Sequence, residues 1–315
     1  MAARFTHRHL LLVGVETTYA TPVAGMTGAA NAILARRTPE WRPLIGTDDQ
    51  IDNVRQYFGS QGTRLVQNYA TVSIEFDAGG AGAAGTAAPY AALLRACGLA
   101  QTLTATVSAA YTPVSAAFES ATIIWHDDTT RYQMAGARGS LRLVLEAGKR
   151  PYFRAELSGL ISTISDVALP GATFTAFRDP LPLSAANTPT LTLGGYSCVA
   201  EKLEIDLGNT VEPRFLIGSE SIQITNRRVT GTLVLEADQA ATKEWVAIAR
   251  ASTRGALSVI HGTVAGNILE IAAPAVEIGR LTFGVSNNIR NVTLPLDICH
   301  TNSGAGNDEI VFTIR

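Results

Sequence analysis

The chain has 315 residues, of which 46% are hydrophobic and 17% charged, with a formal net charge of −2. This length and apolar content suffice for two cores, since single cores usually stop growing near about 250–300 residues. The composition excludes a largely disordered chain and gives no sign of a general nucleic-acid-binding surface, and the low charge fraction favours a protein that hides much of its surface in an assembly.

The first predicted element is the apolar run at residues 10–13, which ends at Gly14. It is shorter than a signal-peptide core and far shorter than the roughly 20 residues of a spanning helix, so we expect no membrane insertion and a chain that stays in the cytosol unless something else carries it out. Next comes "VETTYATPVA" at 15–24, whose Tyr19 and Pro22 predict an extended, ordered arm. Such an arm either docks on another molecule through its tyrosine or folds back on its own domain.

Period-two alternation dominates the rest of the chain. In residues 70–78, Val72, Ile74 and Phe76 share one face while polar residues share the other, which predicts a half-buried strand with an acidic outer row. The further predicted strands are 121–126, 138–146, 152–160, 199–207, 229–236, 256–263, 267–272, 290–298 and 309–314. Their number and spacing predict a mainly β, antiparallel sandwich or barrel.

Two segments, 89–97 and 242–252, predict helices, and their sequences resemble each other. The likeness continues upstream at a constant offset of about 159 residues, where Asp77 meets Glu236. Because strand pattern, helix position and loop order agree, the sequence predicts an internal duplication: two tandem antiparallel β-sandwich or barrel domains, each with one flanking α-helix. Chance similarity between two all-β stretches is the alternative.

Irregular segments set the expected domain boundary. Residues 163–195, rich in Pro, Ser, Asn and Thr, predict the join, which gives a first domain at 1–183, with the arm and the linker, and a second domain at 184–315. Residues 79–88, "GGAGAAGTAA", predict a mobile loop because glycine and alanine offer little to pack in a core.

No motif predicts catalysis, a cofactor or a metal. The glycine-rich 79–85 run lacks the Gly-Lys-Ser/Thr of a phosphate loop, and His126 followed by two aspartates predicts a hairpin turn rather than a metal site. No Gly-x-Ser-x-Gly occurs, and His261 in an apolar strand is typical of a core imidazole. We therefore expect a protein that is not an enzyme. Reduced thiols are expected for the three widely spaced cysteines Cys97, Cys198 and Cys299.

Several short motifs, taken in their order, carry a family resemblance. "ETTY" at 16–19 is followed by "RQYFGSQ" at 55–61, "PYAALLRACGLA" at 89–100 and "GARGSLRLVLEAGKRPYFRAELSGL" at 136–160. Along almost the whole chain this order is similar to that of the major tail tube proteins of long-tailed, siphovirus-type bacteriophages.

The resemblance implies a structural protein of the virion tail, assembled in the host cytoplasm. It implies oligomeric rings whose inner β-sheets close into one barrel, stacked into a hollow tube through which DNA leaves the capsid during ejection without being specifically bound. Family members usually place six tube domains in a ring, so a duplicated chain would form trimeric, pseudo-hexameric rings. The implied partners are further copies of the chain, a tape measure protein in the lumen, and the tail terminator and distal tail proteins; no cofactor is implied.

Two groups of residues are candidate assembly sites. Carboxylates turned into the lumen would repel phosphate, whereas the alternative is an ordinary solvent-exposed face. The lumen candidates are Glu75, Asp77 and Glu236. The candidates for contacts between subunits or rings lie on the arm or at a hairpin tip and are Glu16, Tyr19, Pro22, Lys149 and Arg150.

Other functions stay open at this stage. A tail terminator or distal tail ring protein would form one ring and stop, whereas a tube subunit must present complementary top and bottom surfaces. A receptor-binding or carbohydrate-binding β-sandwich should carry an aromatic platform, but the three tryptophans are far apart in the sequence. A secreted hydrolase would need a nucleophile motif that the sequence does not contain.

Overall fold

The computed structural model describes residue 5 and residues 7–239, 241–301 and 306–315, and it confirms a mainly β, antiparallel fold with two short helices. In the first part of the chain the elements are β1 (His9–Val15), β2 (Ala32–Ile33), β3 (Glu40–Gln50), β4 (Thr63–Asp77), α1 (Ala91–Ala96), β5 (Leu99–Thr104), β6 (Ser108–Pro113), β7 (Ala121–Asp127), β8 (Thr130–Glu146) and β9 (Tyr152–Asp166). They continue as β10 (Thr190–Leu193), β11 (Tyr196–Ser197), β12 (Ala200–Asp206), β13 (Asn209–Leu216), β14 (Ser219–Arg227), β15 (Thr230–Glu236), α2 (Trp245–Arg250), β16 (Gly255–His261), β17 (Leu269–Ile278), β18 (Thr282–Ser286), β19 (Ile289–Cys299) and β20 (Val311–Ile314).

One row of strands, which we call the main sheet, runs in the order β3-β4-β9-β8-β12-β15-β19. The end of β17 and then β18 pair with the far side of β19. The order of pairing before the β8–β12 contact, β3-β4-β9-β8, therefore has a counterpart after it, in β12-β15-β19 followed by β17 and β18.

A second row of strands, β5-β6-β20-β17-β16-β10, covers one face of the main sheet. The two rows meet through aromatic and aliphatic side chains: Phe153 of β9 lies edge-on to Phe312 of β20, with ring centroids 5.8 Å apart. Ile74 of β4 and Leu233 of β15 are fully buried in the same core. Burying this apolar surface supplies most of the stabilisation of such a sandwich.

The central strands form where hydrophobic and polar residues alternate along the sequence, and the structure confirms that these segments are strands. The last part of β4 alternates strictly between buried and half-buried residues, as period-two sequence requires, although the strand begins earlier than expected, at Thr63. Both predicted helices are confirmed but are short, with six residues each, fewer than two turns. Gly98, with φ +77°, follows α1 and adopts a backbone conformation that favours glycine and ends the helix.

Strands pair across the expected domain boundary between residues 183 and 184. β8 pairs with β12, and β6 pairs with β20, so hydrogen bonds join the two parts of the chain at both rows. One hydrophobic cluster includes side chains from both parts. The division into two domains stays a prediction, and the irregular stretch between Asp166 and Thr190 lies where the join is expected.

The glycine-rich segment at 79–88 is held by backbone hydrogen bonds at its first residues, while its mobility stays a prediction. The Gly80 N–H donates to Asn267 Oδ1 at 2.8 Å, and the Gly82 N–H donates to the carbonyl oxygen of Gly266 at 3.0 Å. A Cβ atom at Gly80 would lie 1.9 Å from that carbonyl oxygen. Glycine is thus needed here because two backbones touch, at the β16–β17 turn.

Two hairpins project from the main sheet. The outer parts of β3 and β4 form one, with its tip at residues 51–62, and β13 and β14 form the other. Neither was predicted as a hairpin, because most of their residues lie outside the core: β3 hardly alternates, and β13 alternates only between half-buried and exposed residues. Val54 and Phe58 at the first tip are fully exposed, as is Ile217 at the second.

Candidate assembly surfaces

The β8–β12 contact joins the two parts of the main sheet through a paired apolar row. Leu143 lies opposite Ile205, and Leu145 lies opposite Leu203. All four side chains are at most 2% exposed and belong to the common core. The contact is therefore sealed on its core side in the same way as a pair of neighbouring strands within one domain.

The other side of this contact carries charges. Arg142 donates to Glu204 Oε1 at 2.9 Å and to Asp206 Oδ2 at 2.7 Å, and Lys202 Nζ lies 2.7 Å from the Glu204 carboxylate. The hydrogen bond to Asp206 raises the pKa of the Arg142 guanidinium. Each cation on this part of the sheet thus has a carboxylate beside it, in a solvent-exposed geometry where single pairs contribute only about 0–1 kcal/mol.

The expected acidic row on β4 lies beside arginines. Asp77 is between Arg150, at 2.8 Å, and Arg36, at 3.8 Å, while Glu75 lies 3.5 Å from Arg37. Both carboxylates are half-buried and point away from the core. The structure thus brings Asp77 and Arg150 together, although the sequence suggested separate roles for them.

Glu236 and Lys149 lie at strand ends. Glu236 closes β15 opposite Asn291 and is exposed, and within the described residues it has no ion pair. Lys149 follows β8 in the tight β8–β9 turn and pairs with Glu146 at 2.7 Å. The turn itself confirms the predicted hairpin tip, whereas contacts of these residues with another subunit stay a prediction.

Glu16 is buried beneath the arm, and its carboxylate accepts four hydrogen bonds. Oε1 accepts from the Gly136 N–H at 2.9 Å and the Thr122 hydroxyl at 2.8 Å. Oε2 accepts from the Ala20 N–H at 2.9 Å and the Ser120 hydroxyl at 2.6 Å. The arm is therefore fastened to its own chain at this point, through an acidic side chain that a sequence alone would place on the surface.

Tyr19 connects the arm to the β13–β14 hairpin. The Ile222 N–H donates to the Tyr19 hydroxyl oxygen at 2.6 Å, and the Arg138 guanidinium lies 4.6 Å from the centre of the tyrosine ring. Burial raises the pKa of Tyr19 and outweighs the backbone hydrogen bond with Ile222, which lowers it. Pro22 is exposed. The predicted anchor thus contacts a hairpin of the same chain, and docking on another copy stays a prediction.

The β13–β14 hairpin lies on the first part of the chain through further polar contacts. Arg138 donates to the Ile222 carbonyl at 3.0 Å, and the Asn209 amide donates to the carbonyls of Cys97, at 2.7 Å, and Gly139, at 2.9 Å. Burial lowers the pKa of Arg138. Sequence reasoning missed these residues; an arginine between small residues in a core strand was the one available signal.

Metal and catalytic readings find no support in the residues that the structure describes. No group of three histidine, cysteine or acidic side chains there has metal-binding geometry. His126 precedes the predicted β7–β8 turn, which is confirmed, with Asp128 at φ +55°. His261 is buried and contacts the Thr188 hydroxyl and the Leu181 carbonyl, both at 2.9 Å, as a core imidazole does. Across the described ranges, no helix has the length and hydropathy needed to cross a membrane.

Comparison with known proteins identifies a family for the chain. A family model described as phage tail tube protein matches residues 6–306, nearly the whole chain. A search of curated protein sequences finds no match. Since the match spans far more than half of its length, the chain belongs to the phage tail tube protein family.

Proposed function

We propose that the chain is the major tail tube subunit of a siphovirus-type phage, with a duplicated tube domain, and that three copies form a ring. Rings stack into a hollow tube through which DNA passes during ejection. The main sheet is the observation that carries the proposal: one chain supplies two successive groups of strands with the same order of pairing, β3-β4-β9-β8 and β12-β15-β19-β17/β18.

Register supports the duplication more strongly than strand order alone. Asp77 and Glu236, which match at the sequence offset of about 159 residues, end β4 and β15. In the first group Phe76 pairs with Phe153, and in the second Leu235 pairs with Val292, and all four side chains are buried, so each matched strand end lies against a core residue of the next strand. Six such groups in a ring then require three chains.

The charged face of the main sheet is the proposed lumen wall. DNA would bind a wall of unpaired cations, since each phosphate that is neutralised releases counterions and adds affinity. In the middle of this face the cations stand beside carboxylates: Arg142 beside Glu204 and Asp206, and Arg154 3.2 Å from Glu156. Arg42, on the edge strand β3, has no ion pair within the described residues. A wall of paired charges lets a polyanion slide without being retained.

Electron microscopy of the purified chain at increasing concentration tests the proposed function. Tubes with a regular axial repeat and threefold symmetry of whole chains are expected. Sixfold rings of whole chains would contradict the trimer, single rings that never stack would favour a terminator or distal ring protein, and monomers at every concentration would contradict the tube itself.

A charge variant tests the lumen wall. Replacing Glu204 with Gln and Asp206 with Asn leaves Arg142 without its carboxylates, and tubes of this variant should then bind duplex DNA with an affinity that falls as salt rises. The matched control is Glu244→Gln, which removes one exposed carboxylate beside α2, away from the main sheet. Equal DNA binding by variant, control and unaltered tubes would argue against the assignment of this face.

A further inference from the structure

The far edge of the main sheet, β18, is apolar and open. β18 pairs with β19 on one side, and no other strand of the described chain pairs with it. Phe283 and Val285 point to the core side of the sheet, because Phe283 lies opposite Val292, which is fully buried. Nevertheless 57% of Phe283 and 68% of Val285 is exposed. An uncovered apolar strand edge of this kind invites pairing with another strand.

The same chain contains a covered counterpart of this edge. Phe153 pairs with Leu143 in the first group of strands, and the corresponding Val292 pairs with Phe283 in the second, so Leu143 and Phe283 occupy corresponding positions. Leu143 is only 1% exposed. The difference is the neighbouring strand: β12 lies against β8 and brings Ile205 next to Leu143, whereas nothing in the described chain lies against β18.

The strand that corresponds to β12 is β3, at the opposite edge of the main sheet. Val72 pairs with Trp41 of β3, and the corresponding Gly231 pairs with Ile205 of β12. Within the described residues, β3 pairs with β4 and leaves its outer edge open. The open edge strands of the main sheet are thus the counterparts of an internal pair: β18 corresponds to β8, β3 corresponds to β12, and β8 and β12 pair with each other inside the chain.

We propose that β18 of one copy pairs antiparallel with β3 of a second copy, in the register of the β8–β12 contact. Phe283 then lies opposite Trp41 of the second copy, and Thr282 lies opposite Arg42, just as Arg142 lies opposite Asp206 within the chain. Continuing this register places Val285 opposite Pro39. The partner of this edge is thus another copy of the same chain, joined head to tail.

The projecting hairpins support the same arrangement. β13–β14 lies on the first part of its own chain and buries Ile224, which is 7% exposed. At the offset of about 159 residues the corresponding residue in the β3–β4 hairpin is Leu65, which is 56% exposed. Pairing of β3 with a neighbouring β18 would carry this hairpin onto the neighbour's second part, where Leu65 would find the kind of cover that Ile224 has.

The proposal rests on the proposed function, because repeated head-to-tail contacts close into a ring only if the rotation per copy divides a full turn. In the trimer every strand edge of the main sheet is paired, which removes the open edges from the assembly. The ring and this particular strand contact are separable claims, since a ring built through other surfaces would leave β18 and β3 apart.

Disulfide cross-linking tests the contact and its register. The test chain carries Thr282→Cys and Arg42→Cys in a Cys299→Ser background, and assembled material is oxidised and run on a non-reducing gel. Directly opposed residues lie within the distance of less than about 7 Å between Cα atoms that a disulfide needs. The matched control is Arg142→Cys with Asp206→Cys, which occupies the corresponding positions inside the chain and should close an intrachain bridge.

A shifted pair, Thr282→Cys with Glu40→Cys, tests the register. We expect covalent trimers from the pair with Arg42→Cys, and at least about tenfold less product from the shifted pair, whose cysteines sit two residues out of line. Rings or tubes seen by microscopy without this cross-link, while the intrachain control closes, would overturn the strand contact and leave the proposed function standing. A failure to form any oligomer would contradict both.

A surface variant gives a second readout that does not depend on oxidation. Phe283→Asp should fold like the unaltered chain, because the side chain is already mostly exposed, but should raise the concentration needed for assembly by at least about tenfold, since it places a charge at a dry contact. Val264→Asp, at a residue 63% exposed in the β16–β17 turn, is the matched control and should assemble normally. Equal assembly of Phe283→Asp and the unaltered chain would contradict the proposal.

Discussion

Replacing Glu16 with Ala should strongly destabilise the chain, because this buried carboxylate accepts four hydrogen bonds and also interacts electrostatically with the Arg138 guanidinium. Its two oxygens serve four donors, and two of these are backbone N–H groups, from Ala20 and Gly136. The hydroxyls of Ser120 and Thr122 can rotate to other acceptors, but a backbone N–H cannot. The cost of the substitution therefore falls mainly on the two backbone donors.

The size of the effect follows from these donors. A buried donor that loses its acceptor costs about 1–3 kcal/mol, so two of them, with the small cavity left by the side chain, should lower the free energy of unfolding by about 3–5 kcal/mol for Glu16→Ala. Glu16→Gln keeps one acceptor oxygen and turns an amide N–H₂ toward the remaining backbone donor, so it should cost less, about 2 kcal/mol.

Urea denaturation of the unassembled chain, followed by circular dichroism, measures both changes. Glu244→Ala is the control, since this exposed carboxylate makes no capping hydrogen bond to α2 and its removal should change stability by less than about 0.5 kcal/mol. A loss below about 1 kcal/mol for Glu16→Ala would refute the reasoning, because it would mean that the arm is not held by this carboxylate.

Two further outcomes are expected. Deleting residues 1–15 should abolish folding as judged by circular dichroism, because it removes β1, whose central residues are buried and which pairs with β7 along its whole length; a folded, soluble product would contradict this. His261 donates from Nε2 to the Leu181 carbonyl and its Nδ1 contacts the Thr188 hydroxyl, and burial, which disfavours the charged ring, lowers its pKa from the ordinary value of 6.5. The free energy of unfolding should therefore fall as pH drops below about 6.5, less steeply in His261→Gln, and urea titrations at pH 7.5 and 5.5 giving equal losses in both proteins would contradict this.

The sequence was sufficient for the strands whose two faces differ. Residues 70–78 and 229–236 alternate because one face meets the core and the other does not, and both became central strands of the main sheet. β3 lacks this contrast and β13 shows it only between half-buried and exposed residues, since much of each hairpin lies outside the core, and Pro43 and Pro213 weaken the strand signal further. Period-two reasoning detects a strand only where burial differs between its faces.

The candidate sites show a different limit. Glu75 and Asp77 were correctly seen as one row, but Arg36, Arg37 and Arg150 come to it from other strands and loops, and no spacing in the sequence predicts that. Buried polar networks such as that of Glu16 depend on long-range contacts in the same way. β18, which carries Phe283 and Val285, was not predicted as a strand, and only the three-dimensional pairing shows that it forms an exposed edge.

A tandem arrangement of two tube domains has a consequence for how a ring assembles. The β8–β12 contact forms within one chain, so half of the contacts in the proposed trimer need no encounter between molecules, and their effective concentration is set by the linker rather than by the solution. The two kinds of contact are then free to differ: Leu143 against Ile205 inside the chain, Phe283 against Trp41 between copies. Arg142 lies opposite Asp206 at the internal contact, whereas the contact between copies sets Thr282 opposite Arg42, which form no ion pair. A wrong pairing of β8 with β3 would instead set Arg142 opposite Arg42. This like-charge contact disfavours the mispaired ring and directs each open β18 toward a β3 edge.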